Sequence, residues 1–319
     1  MIPPPSAPAF LAVHGWAGAE VLPLAGDASF RRYFRVVAPG RTAVLMDAPP
    51  PHEDPRPFLH VAGHLRGLGL AAPAIFASDL DEGLVLLEDF GDARMAEVVA
   101  AEPGRETAVY AQAIDLLAGL HDHPPAPLRP YDIAEYQREA GLLPEWYAPV
   151  LDLEVDGEAY RKAWSEALAP IAAVHAVTVL RDYHAENIML LGDGRLGLLD
   201  FQDALAGHPA YDLVSLLQDA RRDVAPELEA AMLDRYEAAG SLDRAAYALL
   251  GAQRNAKILG IFTRLWKRDG KPRYLAYQPR VWAYLERDLA HPALAPVAAW
   301  FDANVPAEAR AAAWGKVPA

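Results

Sequence analysis

Residues 177–203 read VTVLRDYHAENIMLLGDGRLGLLDFQD, and this stretch decides the fold. It opens on a short β-branched and aliphatic run, 177–180, as a buried strand requires. A polar turn follows, Arg181-Asp182-Tyr183-His184-Ala185-Glu186-Asn187. The apolar runs 188–191 and 196–199 flank Gly192-Asp193-Gly194, and an Asp-Gly pair between two such runs predicts a β-hairpin. That hairpin sets Asp182 and Asn187 at its mouth and Asp200 at the end of the returning strand. Two acids and an amide in this order suit phosphoryl transfer. Asp182 would take the proton of an attacking hydroxyl, while Asn187 and Asp200 offer hard oxygens to Mg²⁺ on the phosphates of a nucleotide. An Asp in a polar turn is by default a turn former; only the spacing of the three lifts it above that.

Composition bounds the rest. The 319 residues hold ample material for a core, in one two-part unit or in two domains. A hydrophobic content of 53% argues against disorder. No apolar run approaches the roughly 18–20 residues of a membrane span, and the start, MIPPPSAPAF, lacks the basic segment of a signal peptide. The absence of cysteine excludes disulfides and thiolate metal sites. Together these features predict a cytoplasmic protein without membrane attachment. A formal net charge of −14 argues against a nucleic-acid partner. It also requires that an anionic nucleotide be held by local positive charge and metal, against the overall field.

LRDYHAEN followed by LLDFQD resembles the catalytic loop and metal-binding strand of the kinase-like phosphotransferases, which include aminoglycoside and choline kinases. The flanking blocks are SFRRYFRV, VLMDAPP, LLEDFGD, EAGLLPEWYAP, GHPAYDLVSLLQDARRDV and QRNAKILGIFTRL. Spread from about residue 25 to residue 265, they resemble bacterial anomeric sugar kinases that phosphorylate N-acetylmuramate and N-acetylglucosamine at C1. The resemblance implies an α+β, bilobal protein-kinase-like fold. A small β-sheet lobe over 1–91 would bind nucleotide, and a larger, mainly helical lobe over 92–319 would carry catalysis and substrate. ATP and Mg²⁺ are the implied cofactors, a small amino sugar the implied partner, with no obligate protein partner and a place in peptidoglycan recycling. Two alternatives stand beside it: a kinase for another small alcohol, such as an aminoglycoside or choline-like amine, and a nucleotide-binding pseudokinase.

Within that frame, 20–24, 31–37 and 42–46 read as strands, and the turn Gly26-Asp27-Ala28-Ser29 would cover the phosphates with its N–H groups, Ser29 among them. The strand lysine of protein kinases is missing: 43–46 reads AVLM, and the first Lys is Lys162. Arg31, Arg32 and Arg35 are the candidate replacements. Alternation puts Arg32 on the face of Phe34 and Val36, and that inward face favours Arg32. Helix 58–68 has no Glu to complete a Lys–Glu pair. Strands 75–78 and 84–87 lead to Glu88-Asp89-Phe90-Gly91, the expected hinge, where backbone groups at Glu88 and Phe90 would meet adenine. Asp89-Phe90-Gly91 precedes the catalytic Asp and is therefore a linker turn, not a metal site.

Helices are expected over 106–121, 133–143, 156–175, 213–221, 226–240, 244–266 and 279–289, and strands first with helices later argue α+β. His121 and His123 read as surface or capping residues, Trp164 as core, and Asp212 as a helix N-cap. Leu180 stands where relatives carry a His that braces the catalytic loop; Arg181 is expected in a structural salt bridge and His184 in an architectural role. For the sugar, Asp203, Glu135, Arg138, Trp146 and Tyr147 are candidates, with Arg138 a partner for a lactyl carboxylate. Gln253, Arg254, Asn255 and Lys257 share a block with the family.

Overall fold

The structure, a computed structural model, describes residues 1–24 and 30–311; Ser29 and the turn before it lie outside the described residues. In chain order the elements begin with α1 (Ala7–Val13), β1 (Glu20–Pro23), β2 (Arg32–Ala38), β3 (Arg41–Asp47), α2 (Arg56–Gly67), β4 (Ile75–Asp79), β5 (Leu84–Leu87) and α3 (Met95–Ala101). Next come α4 (Glu106–His121), α5 (Ile133–Ala140), a π-helical turn (Leu143–Tyr147), α6 (Ala148–Val150), α7 (Gly157–Leu168) and β6 (Val177–Val179). The chain continues through β7 (Ile188–Leu190), β8 (Leu196–Leu198), β9 (Leu205–Gly207), α8 (Ala210–Leu217), α9 (Pro226–Ala239), α10 (Arg244–Lys267), α11 (Gln278–Leu289) and α12 (Ala295–Asn304). Contacts divide it into two compact units, Met1–Pro103 with Glu186–Ala204, and Gly104–Ala185 with Leu205–Ala319. The class is α+β, with strands concentrated in the first unit and helices in the second.

In the first unit an antiparallel sheet runs β1-β2-β3-β5-β4. Strand alternation on β2 buries Phe34 and Val36 against Phe10 and Leu11 of α1, Trp16, and Leu45 and Leu86 of the neighbouring strands. Helix α2 turns Phe58, Val61, Ala62 and Leu65 inward. It ends where Gly69 adopts φ +81 and Leu70 N–H returns to Leu65 O at 3.0 Å, the left-handed exit that glycine permits. The β7–β8 hairpin expected from the Asp-Gly turn forms with Ile188 opposite Leu198 and Leu190 opposite Leu196. It joins this unit through Leu198 N–H to Ala71 O and Leu190 N–H to Ala93 O, both 2.8 Å.

The second unit is built around α10. Asp243 caps it by accepting from Ala246 N–H at 3.0 Å, and α5, the π-helical turn, α8 and α11 pack against it. Gly260 allows a close approach: a Cβ there would stand 2.3 Å from the Leu142 carbonyl carbon. Strand β6 pairs with β9, three residues that carry no alternating pattern of their own, and not with the hairpin. Helix α7 stops at Leu168, short of the expected 175: Ala169 N–H still reaches Ser165 O at 3.1 Å, but Pro170 has no N–H with which to continue the ladder. Trp164 lies in the core at 1% exposure, as expected. His121, expected at the surface or as a cap, is partly buried at the end of α4. Its Nδ1 lies 2.7 Å from the Tyr236 hydroxyl, a contact between α4 and α9.

Candidate active site

Asn187 and Asp200 belong to the first unit. Leu199 N–H donates to Asn187 O at 3.0 Å and closes the open end of the hairpin, which brings the Asn187 amide nitrogen to 3.4 Å from Asp200 Oδ2. Asp200 adopts φ +57, a left-handed conformation costing a non-glycine residue about 1 kcal/mol or more. Its side chain is held there: Gln202 Nε2 donates to Oδ1 at 2.9 Å, and Arg31 Nη2 stands 3.8 Å from the same oxygen. Phe201 then stacks on Phe58 of α2, with centroids 4.9 Å apart, and pins the chain beyond Asp200. Asp203 is exposed and accepts from Gln202 at 3.2 Å. An amide and a carboxylate side by side are hard oxygen donors. Mg²⁺ in nucleotide sites takes one or two carboxylates and fills its shell with water and phosphate, so the pair fits that ion.

Arg32 is committed elsewhere. Its register partner on β3 is Asp47, with Nε 2.8 Å from Oδ2, and it also donates to Ile2 O at 3.3 Å. The buried face of β2 looks toward α1, so burial on that face does not mean proximity to Asp200. Arg31, just ahead of the strand, is the arginine beside that acid. Arg35 grips Asp89 at 2.8 Å and Asp92 at 2.9 Å. Asp89 in turn accepts from Gly91 N–H at 3.0 Å where Gly91 has φ +78, so Asp89-Phe90-Gly91 is the turn the sequence suggests. Glu88 is tied to Ala74 in both directions, N–H to O at 2.9 Å and Oε2 to N–H at 3.0 Å. The Phe90 ring covers Gly197 of β8, where a Cβ would stand 2.7 Å from ring carbons.

Asp182 belongs to the second unit. Burial pushes its carboxyl up, but Lys257, His184, Arg254 and Arg181 outweigh that and hold it below the usual range. The loop that carries it is fixed by Asp212. That residue is not the cap expected from its position but lies inside α8, fully buried, accepting from Leu180 N–H at 2.6 Å and Arg181 N–H at 2.9 Å. With two backbone donors bound to one carboxylate, the loop is braced although residue 180 is Leu. Burial pushes the Asp212 carboxyl up to about 7, against the pull of those two N–H groups and of Arg254. Arg181 sits at φ +71 and forms the expected salt bridge, with Glu139.

Glu139, at 1% exposure, is the hub of a charged cluster. Lys257 Nζ lies 2.7 Å from it, and the Tyr131 hydroxyl donates to it. Burial raises its carboxyl, yet Lys257 and Arg181 prevail and hold it at about 2. Glu135 and Arg138 pair with each other at 2.5 and 3.0 Å on the outer rim of this cluster, and Arg181 Nη2 reaches Glu135 at 3.9 Å. Arg138 remains exposed. Tyr147 falls away as a substrate contact: it is buried, donating to Ala309 O and accepting from Trp282 Nε1 at 2.8 Å. Glu139 and Lys257 are 118 positions apart, and no local signal in the sequence pairs them.

His184 is 4% exposed, with Nε2 3.3 Å from Arg221 Nη1. Burial first, and then Arg221, hold its imidazole down to about 4. The unfolded chain, titrating near 6.5, therefore binds more protons than the native state between those values, so this contribution falls as pH drops from 6.5 toward 4. A shift of that size corresponds to about 3 kcal/mol. His184→Gln should flatten the acid side of a urea-unfolding stability curve relative to wild type. Parallel curves for the two proteins between pH 7 and 5 would show that His184 does not titrate as a buried neutral base.

Residues 20–250 match the sequence model of the phosphotransferase enzyme family, and the chain belongs to that family. Its relatives extend over nearly its whole length. The N-acetylmuramate/N-acetylglucosamine kinase of Caulobacter vibrioides is 40% identical, covering 95% of this chain and 96% of its own. That of Pseudomonas aeruginosa is 38% identical, covering 89% and 88%. Among solved structures, choline kinase LicA from Streptococcus pneumoniae superposes with a TM-score of 0.63 at 15% identity, covering 86% of this chain and 93% of its own. Spectinomycin phosphotransferase APH(9)-Ia, in complex with ADP and spectinomycin, gives 0.64 at 11% identity, covering 94% and 98%. At such identities these two structures establish the kinase-like fold alone. Among the described residues, no helix is long and apolar enough to cross a membrane.

Proposed function

We propose that this chain phosphorylates the anomeric hydroxyl of N-acetylmuramate and/or N-acetylglucosamine with ATP, giving the sugar 1-phosphate in peptidoglycan recycling. The observation that carries the chemistry is the Asn187–Asp200 pair, an amide and a carboxylate at 3.4 Å across the mouth of a hairpin. The substrate class rests on the two near-full-length relatives, both named as kinases of these sugars. Asp182 orients the attacking O1 hydroxyl and takes its proton late, as the bond from γ-phosphorus to the β,γ-bridging oxygen breaks and the bond to O1 forms. That transition state is loose, so positioning counts for more than basicity, and a carboxyl held low by its cationic neighbours suits the role. Asn187 and Asp200 would hold Mg²⁺, which when bound would supply charge neutralisation to the phosphates. Glu88 and Phe90 serve the adenine side, with residues 1–91 as the nucleotide lobe and 92–319 as the catalytic and sugar lobe. Glu135, Arg138 and Asp203 are assigned to sugar hydroxyls and the lactyl carboxylate. The reaction belongs in the cytoplasm, where ATP is supplied.

A coupled ADP-release assay tests this directly. Turnover is expected with N-acetylmuramate, N-acetylglucosamine or both, and a phosphorus NMR signal of an anomeric phosphate should appear. Turnover with an aminoglycoside or choline, and none with either amino sugar, would overturn the substrate assignment.

A further inference from the structure

No lysine precedes Lys162, so the sheet of the first unit cannot present the strand lysine that steadies nucleotide phosphates in protein kinases. The same unit holds a buried cation in a suitable place. Arg31 is 8% exposed and stands at the head of β2. Its Nη2 lies 3.8 Å from Asp200 Oδ1, and its Nε lies 3.6 Å from Glu53 Oε2. Glu53 is itself fixed, since Phe30 N–H donates to its Oε1 at 3.1 Å. Glu53 lies in the proline-rich loop ahead of α2, not on the helix itself. Arg32 and Arg35 are engaged by Asp47 and by Asp89 with Asp92.

Building on the proposed kinase function, we infer that Arg31, steadied by Glu53, is the phosphate-binding cation of this enzyme and takes the place of the strand lysine and its glutamate partner. The chemistry favours it. A guanidinium offers paired N–H donors that match two phosphate oxygens, whereas an ammonium acts as a point charge. Burial strengthens a charge-assisted contact, and the acid beside Arg31 is the one assigned to the metal, so cation and Mg²⁺ would serve the same phosphate chain. Burial works against the charge on Arg31, but Tyr33, Asp200, Glu53 and Asp203 together outweigh it. Glu53 is a positioning residue: it orients the guanidinium and limits its rotamers before nucleotide arrives.

Calorimetry of Mg·ATP and of adenosine binding to the purified full chain provides the test. Arg31→Gln should weaken Mg·ATP binding by about ten- to hundredfold while leaving adenosine affinity unchanged. Arg31→Lys should recover part of the loss, and Glu53→Gln should show a smaller loss of the same kind. A merely structural role would lower both affinities alike and leave their ratio at the wild-type value, and that outcome overturns the inference. Arg56→Gln, which removes an exposed guanidinium paired with Asp54, controls for general loss of positive charge. If it lowers Mg·ATP affinity as much as Arg31→Gln, Arg31 has no special place. Wild-type chain that binds no Mg·ATP at all would overturn the kinase function as well. Normal wild-type binding with an undisturbed Arg31→Gln variant would remove Arg31 alone.

Discussion

Asp182→Asn should lower kcat by about 10²–10⁴-fold, the usual worth of a positioned general base, and leave nucleotide affinity within a few-fold of wild type. The substitution is nearly isosteric. Asp212 holds the backbone N–H groups of Leu180 and Arg181, so the loop keeps that brace in the variant. An amide can still accept a hydrogen bond from the sugar hydroxyl but cannot take its proton. Lys257, His184, Arg254 and Arg181, which together hold the Asp182 carboxyl low, would then face a neutral group, so some loss of stability should accompany the loss of turnover. Nucleotide affinity measured by calorimetry separates the two effects. A variant that binds Mg·ATP normally and turns over within threefold of wild type would remove Asp182 as the base.

The second large effect is expected at Asp200. Asn tolerates the left-handed backbone better than most residues, so Asp200→Asn should keep φ near +57 while deleting the negative charge. Charge neutralisation by a metal in the transition state is worth several kcal/mol, and a loss of even part of it is about 10²–10³-fold in kcat/KM. The diagnostic is the dependence on Mg²⁺: the concentration giving half-maximal activity should rise at least about tenfold, and Mn²⁺ binding followed by electron paramagnetic resonance should weaken in parallel. The neighbouring Gln202 and Arg31 would each lose a charged acceptor. A variant with an unchanged Mg²⁺ requirement would show that the metal is held without Asp200.

The parts of the site that were legible in advance are those fixed by neighbours in the chain. The Asp-Gly turn sets the β7–β8 register, and that register alone brings Asn187 to Asp200. Helices with their own punctuation, such as α9 opening on Pro226 and α10 capped by Asp243, begin where the residues predict. Asp212 illustrates the opposite case. Its position at the start of a helix suggests a cap, yet its carboxylate serves N–H groups some thirty positions earlier, and nothing in its local sequence distinguishes the two uses. Strand β9 is likewise too short to carry a pattern and exists because β6 is there to pair with it.

By itself the sequence determined the class of fold, the hairpin that brings Asn187 to Asp200, and the phosphotransferase family. Such features follow from turn geometry, strand alternation and capping, which act over a few residues. Only the tertiary structure decided that Arg31 and not Arg32 stands beside Asp200, that Asp212 braces the loop of Asp182, and that Glu139 gathers Arg181 and Lys257. Alternation on β2 defines two faces but cannot say which of them α1 will cover. A buried charge selects its partners from whatever packing brings within a few ångströms, and that choice is made across more than a hundred residues of chain.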